Sequence, residues 1–218
     1  MKSVCVHCLI LLSFSLACVS QNTPWWELHA GYQFTSYRTG QMQNLIDSVT
    51  SASNLPAVNV GDQMNMNGWN FSVQENSNSW FGAIVDFSGG YASKNLTLPH
   101  AGGAPVAANF APALFTMGGG PQFSYRKSDR VQPFARFIFA AAYSNLNPNA
   151  ALNNSFSANG SWTSNTAFAM IGGGGLDYRL KNYAYFRVAA DYIRTTLFNQ
   201  GENNFRITAG ISFRIMRN

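Results

Sequence analysis

The stretch Phe205-Arg-Ile-Thr-Ala-Gly-Ile-Ser-Phe213 decides the fold. Phe205, Ile207, Ala209, Ile211 and Phe213 fall at every second position, and Arg206, Thr208, Gly210 and Ser212 fill the positions between. Side chains alternate across an extended chain with a period of two, so this is a strand with one apolar and one polar face. Seven further segments repeat the alternation, at 26–34, 68–74, 81–91, 113–125, 133–143, 168–178 and 184–192. Strands of about 9–11 residues match a bilayer crossed at a tilt. The pattern predicts an all-β fold: an eight-stranded antiparallel up-and-down transmembrane barrel.

Composition points the same way. Only 11% of residues are charged and 14% are aromatic, with 19 glycines. A soluble domain averages about 25% charged residues. Low charge without any long apolar run fits a sheet that turns one face to lipid. No Lys or Arg stands mid-strand on an apolar face, where it would cost about 2–4 kcal/mol at the bilayer midplane. Trp26, Trp69, Tyr91, Tyr125, Tyr143, Tyr178 and Tyr192 lie near strand ends, as interfacial aromatic girdles do. The net charge of +5 is spread thinly, without a basic cluster, so nucleic acid is not an expected partner.

Residues 1–20 read as a signal peptide and 21–218 as one barrel domain. Lys2 supplies a minimal positive region, Val4 to Ala17 an apolar core, and small residues precede an expected cleavage after Ser20. Cys5, Cys8 and Cys18 all lie in this segment, so its removal leaves no thiol. Ser15-Leu16-Ala17 before Cys18 faintly resembles a lipoprotein box, with Ser15 where leucine is usual. Processing at Cys18 therefore stands as an alternative to signal peptidase I. The expected destination is the outer membrane, reached through the periplasm.

The connections sort by length. Segments 75–80, 126–130 and 179–182 are tight turns rich in Asn, Ser, Asp and Lys. Segments 39–61, 92–112 and 144–166 are long and polar, and 195–203 is shorter. With an even strand count both termini share the periplasmic side, so the long loops face outward.

An eight-stranded barrel has an interior just wide enough for side chains to fill it. Parity aims Glu27, Asp86, Asp177 and Asp191 inward, together with Arg136, Arg187, Arg206 and Arg214. Buried charges are tolerable when paired, so these eight predict a structural salt-bridge network that plugs the lumen; a small gated pore is the alternative. The runs Gly118-Gly119-Gly120 and Gly172 to Gly175 are not phosphate loops. They lack a following Lys-Ser or Lys-Thr and sit mid-strand, where glycine permits curvature or makes room for a bulky neighbour. His29 is expected inward and His100 on a loop. No spacing offers the three or four ligands zinc needs. Neither a cofactor nor a catalytic centre is expected.

The segments GWN at 68–70, WFGAIVDFSGGY at 80–91, PFAR at 133–136, GGGGLDYRL at 172–180, DY at 191–192 and FRITAGISFR at 205–214 resemble the OmpA-like outer-membrane β-barrel domain. That resemblance spans essentially the whole mature chain. It implies a monomeric barrel without a catalytic centre, whose partners are outer-membrane lipids, the barrel assembly machinery and an unidentified ligand of the loops. Barrels of this kind often end on an aromatic residue that such machinery reads; here the sequence departs from that pattern, because Phe213 is the last aromatic and Arg214 to Asn218 follow it. The peptidoglycan-binding domain that often follows such barrels is not expected here. The leading expectation is a structural or surface-interaction barrel with a largely closed lumen. A lipid-modifying enzyme and a soluble lipocalin-like carrier are the competing classes.

Overall fold

The computed structural model describes residues 23–52, 57–98, 104–147, 164–197 and 201–216; the segment 1–20 read as a signal peptide, His100 and most of 144–166 lie outside them. The elements in chain order are β1 (Pro24–Arg38), α1 (Gly40–Ala52), β2 (Gln63–Asn76), β3 (Phe81–Tyr91), β4 (Lys94–Leu98), β5 (Val106–Phe110), β6 (Ala113–Ser124), β7 (Val131–Asn145), β8 (Ser164–Arg179), β9 (Ala184–Thr195) and β10 (Glu202–Met216). Eight of the strands close into an antiparallel barrel, each pairing with its neighbour along the chain, while β4 and β5 form a separate hairpin. Closure is made by β1 on β10, with Leu28 opposite Phe213 and Phe34 opposite Ile207. Every strand of the wall is thereby paired on both sides, so the barrel has no open edge.

Parity holds along all eight strands. On β7 the odd positions Phe137, Phe139 and Tyr143 are exposed, while Phe134, Arg136, Ile138 and Ala140 are buried. Large apolar side chains therefore cover the outside of the wall: Phe71, Met117, Phe168, Leu176, Val188, Ile207 and Phe213 among them. Trp80, Tyr125, Tyr178 and Tyr183 ring the end with the short turns, and Tyr91, Tyr143 and Tyr192 ring the other.

The strands run beyond the segments read from alternation. β8 begins at Ser164 and β10 at Glu202, and β2 begins at Gln63 rather than at 68. Backbone pairing continues past the apolar stretch, for example at Tyr37 opposite Met64 and Asn145 opposite Ser164. A ladder needs extended backbone, not alternating polarity, so its outer ends are invisible to a hydropathy reading. The glycine runs serve close backbone approach rather than bulky neighbours alone. A Cβ on Gly120 would stand 2.0 Å from the Phe137 carbonyl oxygen, and one on Gly175 would stand 2.1 Å from that of Val188.

Two of the segments expected as loops carry regular structure, which corrects the reading of 39–61 and 92–112 as plain polar loops. Segment 39–61 holds α1, opened by a hydrogen bond from the Gln43 amide to the Thr39 carbonyl at 2.9 Å. Met42, Ile46 and Thr50 are buried, one turn apart. The Thr39 hydroxyl also donates to the Gly61 carbonyl, tying the helix start to the returning chain. Gly61 takes φ of 83° there, a conformation glycine adopts without steric cost. In 92–112 the hairpin pairs Leu96 with Ala108.

Candidate functional site: the barrel lumen and its outer cap

The lumen is built in two halves of different chemistry. In its central part, Asp86 on β3, Arg136 on β7, Asp191 on β9 and Arg206 on β10 close a four-membered ring of ions. Arg136 meets Asp191 at 2.7 Å and Asp86 at 3.5 Å. Arg206 meets Asp86 at 2.9 Å and Asp191 at 2.8 Å. Asn70 on β2 donates to Asp86 at 2.9 Å. β3 and β10 are not neighbours in the sheet, so the Arg206–Asp86 pair spans the bore.

A second cluster lies toward the short turns. Arg187 binds Asp177 at 2.7 Å and Glu27 at 2.9 Å. Arg214 meets Asp177 at 3.0 Å and Glu27 at 3.5 Å, and donates to Gln132 at 2.7 Å. Its guanidinium lies on the Tyr185 ring, 3.6 Å from the centroid, and that of Arg187 lies 4.6 Å from the centroid of Phe134. The eight residues picked out by parity thus stand inside the barrel, each against an opposite charge.

Sequence reasoning missed a ninth. Arg126, read as part of a tight turn, reaches back to Glu27 at 2.6 Å and to Asn76 at 2.7 Å. It also donates to the Ser79 carbonyl at 2.8 Å, so it bridges two turns across the inner mouth. The inner cluster therefore holds two acids and three bases. No local signal marks a turn arginine that folds inward; only the excess of carboxylate lone pairs on Glu27 invites one.

The outer half of the lumen is mainly apolar, with Thr35, Thr195, Glu202 and Asn204 buried along one side of it. Met64, Met66, Leu114, Ile138, Ala140, Ala142, Ala169, Ile171 and Ile193 fill it, with Tyr37 at the top. Met42 and Ile46 of α1, Val60, Phe110, Leu146 and Leu197 join the same cluster and close the outer mouth. Above this plug a cleft of about 720 Å³ opens, lined by Arg38, Gln43, Asp47, Asp62, Glu202 and Asn203 among others.

His29 lies inside the barrel, 1% exposed, and neither ring nitrogen has a hydrogen-bonding partner among the described residues. Sealed from the outer surface, it is badly placed to act on a lipid. Among the described residues no group of His, Cys, Asp or Glu is arranged to hold a metal ion, and no helix is long and apolar enough to cross a membrane.

No protein-family model matches the sequence, and no curated protein matches it. Solved structures do. The chain superposes on Neisserial surface protein A with a TM-score of 0.55 and 9% identity, covering 87% of this chain and 97% of that one. The outer membrane protein OprG from Pseudomonas aeruginosa gives a TM-score of 0.52 and 10% identity, covering 89% and 97%. The attachment invasion locus protein Ail of Yersinia pestis aligns over 88% and 99% of the two chains at 15% identity, with a TM-score of 0.48. The fold of this chain is that of Neisserial surface protein A and OprG, a closed eight-stranded antiparallel barrel.

Proposed function

We propose that this protein spans the outer membrane as a monomeric barrel, closed to hydrated ions, that holds α1 and the β4–β5 hairpin at the cell surface as an interaction platform, and that it is not an enzyme. The observation that carries this reading is the inverted wall. Aromatic and branched apolar side chains cover the outside, and the carboxylates and arginines of the charge network are turned inward. Soluble monomers rarely expose apolar patches beyond a few hundred Å², so such an exterior belongs in lipid. The filled bore supports a plug over a pore. The cap supports a surface role, because its polar cleft and hairpin stand clear of the apolar belt.

Detergent dependence tests the membrane placement: the mature chain is expected to need detergent or lipid to stay monomeric, and a monomer in plain buffer overturns the proposal. Planar-bilayer recording tests closure, where a large steady conductance would make this a pore. Lipid A from cells with and without the protein is expected to carry the same acyl chains; a difference would restore the enzyme.

A further inference from the structure

One wall of the lumen carries polar groups that the charge network does not use. On β1 these are His29, with both ring nitrogens free of partners among the described residues, then Gln33 Oε1 and Thr35 Oγ1. Facing them on β10 and β9 are Ser212 Oγ, Thr208 Oγ1, Asn204 Nδ2 and Thr195 Oγ1, and on β2 Asn70 Oδ1. Each residue is 2% exposed or less.

The register makes them a file. His29 stands opposite Ser212, Gly31 opposite both Gly210 and Asn70, Gln33 opposite Thr208, and Thr35 opposite Arg206. Asn204 and Thr195 continue the wall on β10 and β9, and Thr195 pairs with Glu202. Every rung from Ser212 to Glu202 thus offers at least one hydrogen-bonding group. Successive inward residues on a strand lie about 6.8 Å apart, and one water with two hydrogen bonds of about 2.8 Å bridges most of that span. The opposite wall is the apolar one, with Leu114, Ile138 and Ile171.

Both ends of the file reach polar mouths. Glu202 lines the outer cleft. Below His29 come Glu27 and Arg214, then Arg126 at the inner mouth.

We propose that this file is hydrated in the bilayer and conducts protons, but no hydrated ions, between the outer cleft and the inner mouth. Buried polar groups find a partner in protein or in ordered water, and here neighbouring side chains supply none. Hydroxyls, amides and water form a chain along which a proton enters as another leaves. His29, with neither ring nitrogen partnered among the described residues, offers the file one hydrogen-bond donor and one acceptor. The ring of ions and the apolar plug fill the rest of the bore, so an ion with its water shell does not pass.

The test is the full mature chain in phospholipid vesicles loaded with a pH-sensitive dye, under a potassium diffusion potential. Proton influx above protein-free vesicles is expected, with chloride and sodium flux unchanged. The double variant Thr35→Val and Thr208→Val removes two hydroxyls at nearly constant volume and is expected to return influx to the protein-free level. A variant that folds and conducts like wild type overturns the proposal, as does wild type without proton flux or with matching sodium flux. Solid-state NMR on wild type in bilayers needs no variant: magnetisation is expected to pass from water to the Thr35, Thr208 and Ser212 side chains, and its absence equally overturns the file. A chain that does not insert into vesicles overturns the membrane reading as well; one that inserts and passes no protons overturns this inference alone.

Discussion

The two halves of the lumen solve one packing problem with opposite chemistry. The inner half is filled by Glu27, Asp86, Asp177 and Asp191 against five arginines, and the outer half by Met66, Ile138, Ile171 and Ile193. Apolar fill is cheap to bury and stabilises through dispersion and dense packing. It does little, however, to say which face of a strand belongs inside. Around Ile138 both faces of β7 are apolar, since Phe137 and Phe139 face lipid. A one-residue slip there would trade one apolar surface for another. In the inner half the same slip would carry Arg187 and Asp191 into lipid. The charged half sets register and the apolar half supplies bulk. This division gives the buried ions a role in specificity, which their net stability alone would not require.

The largest expected effect comes from breaking the charged half. Arg187→Ala breaks the buried pairs with Asp177 and Glu27, which keep Arg214 and Arg126, and is expected to cost about 3–5 kcal/mol, the range for breaking a buried ion pair by removing one partner. The folded fraction, read from heat-modifiable gel migration across a urea series, measures it. Adding Asp177→Ala is expected to recover part of the loss. A double variant as weak as the sum of the singles would mean the ions act independently, and the register argument would fail.

Next in size is the outside of that same half. Val188 stands between Arg187 and Ala189, 40% exposed on the lipid face. Val188→Arg is expected to cost about 2–4 kcal/mol, as is Phe137→Arg. Stability equal to wild type for Val188→Arg would reverse the two faces of β9.

The fold was legible because parity is a local property. Phe205 to Phe213 declare their faces without reference to any other strand, and the same holds for the inward placement of Asp86, Arg136 and His29. Partnership was not legible, because Arg206 meets Asp86 across the bore and no alternation encodes that distance. Arg126 was missed for a similar reason: its side chain leaves a turn to join a cluster that only closure of the barrel assembles. The outer plug was missed differently. Met64 and Met66 lie on the part of β2 that precedes the aromatic alternation, between the loop read at 39–61 and the strand read at 68–74, and belong to neither. The helix could have been found. Met42, Leu45, Ile46 and Val49 fall at i, i+3, i+4 and i+7, the period of an amphipathic helix, but the surrounding Gln, Asn, Ser and Thr read as loop.

The outer half offers a milder break. Ile171 is fully buried against Ile138 and Ile193 in the plug. Ile171→Ala is expected to cost about 2–3 kcal/mol, the lower part of the range for such truncations. Its double variant with Arg187→Ala is expected to be additive, because the two sites share no partner. Strong coupling between them would show that the halves are not separable.

The smallest effect is expected at the cap. Ile46 contributes one face of a helix that meets the barrel through the outer plug and through loop contacts such as Gln43 to Val58 at 2.8 Å. A unit held by few buried side chains opens locally, without unfolding the sheet beneath it. Ile46→Ala should therefore move the barrel's urea midpoint by less than about 1 kcal/mol while it raises protease cleavage within 40–62 on intact cells. Barrel strands provide the contrast, since their amides are paired on both sides around the closed sheet. Cleavage that rises only as the barrel itself unfolds would make α1 part of the cooperative core. The outer half would then owe its order to the helix rather than to Ile138, Ile171 and Ile193.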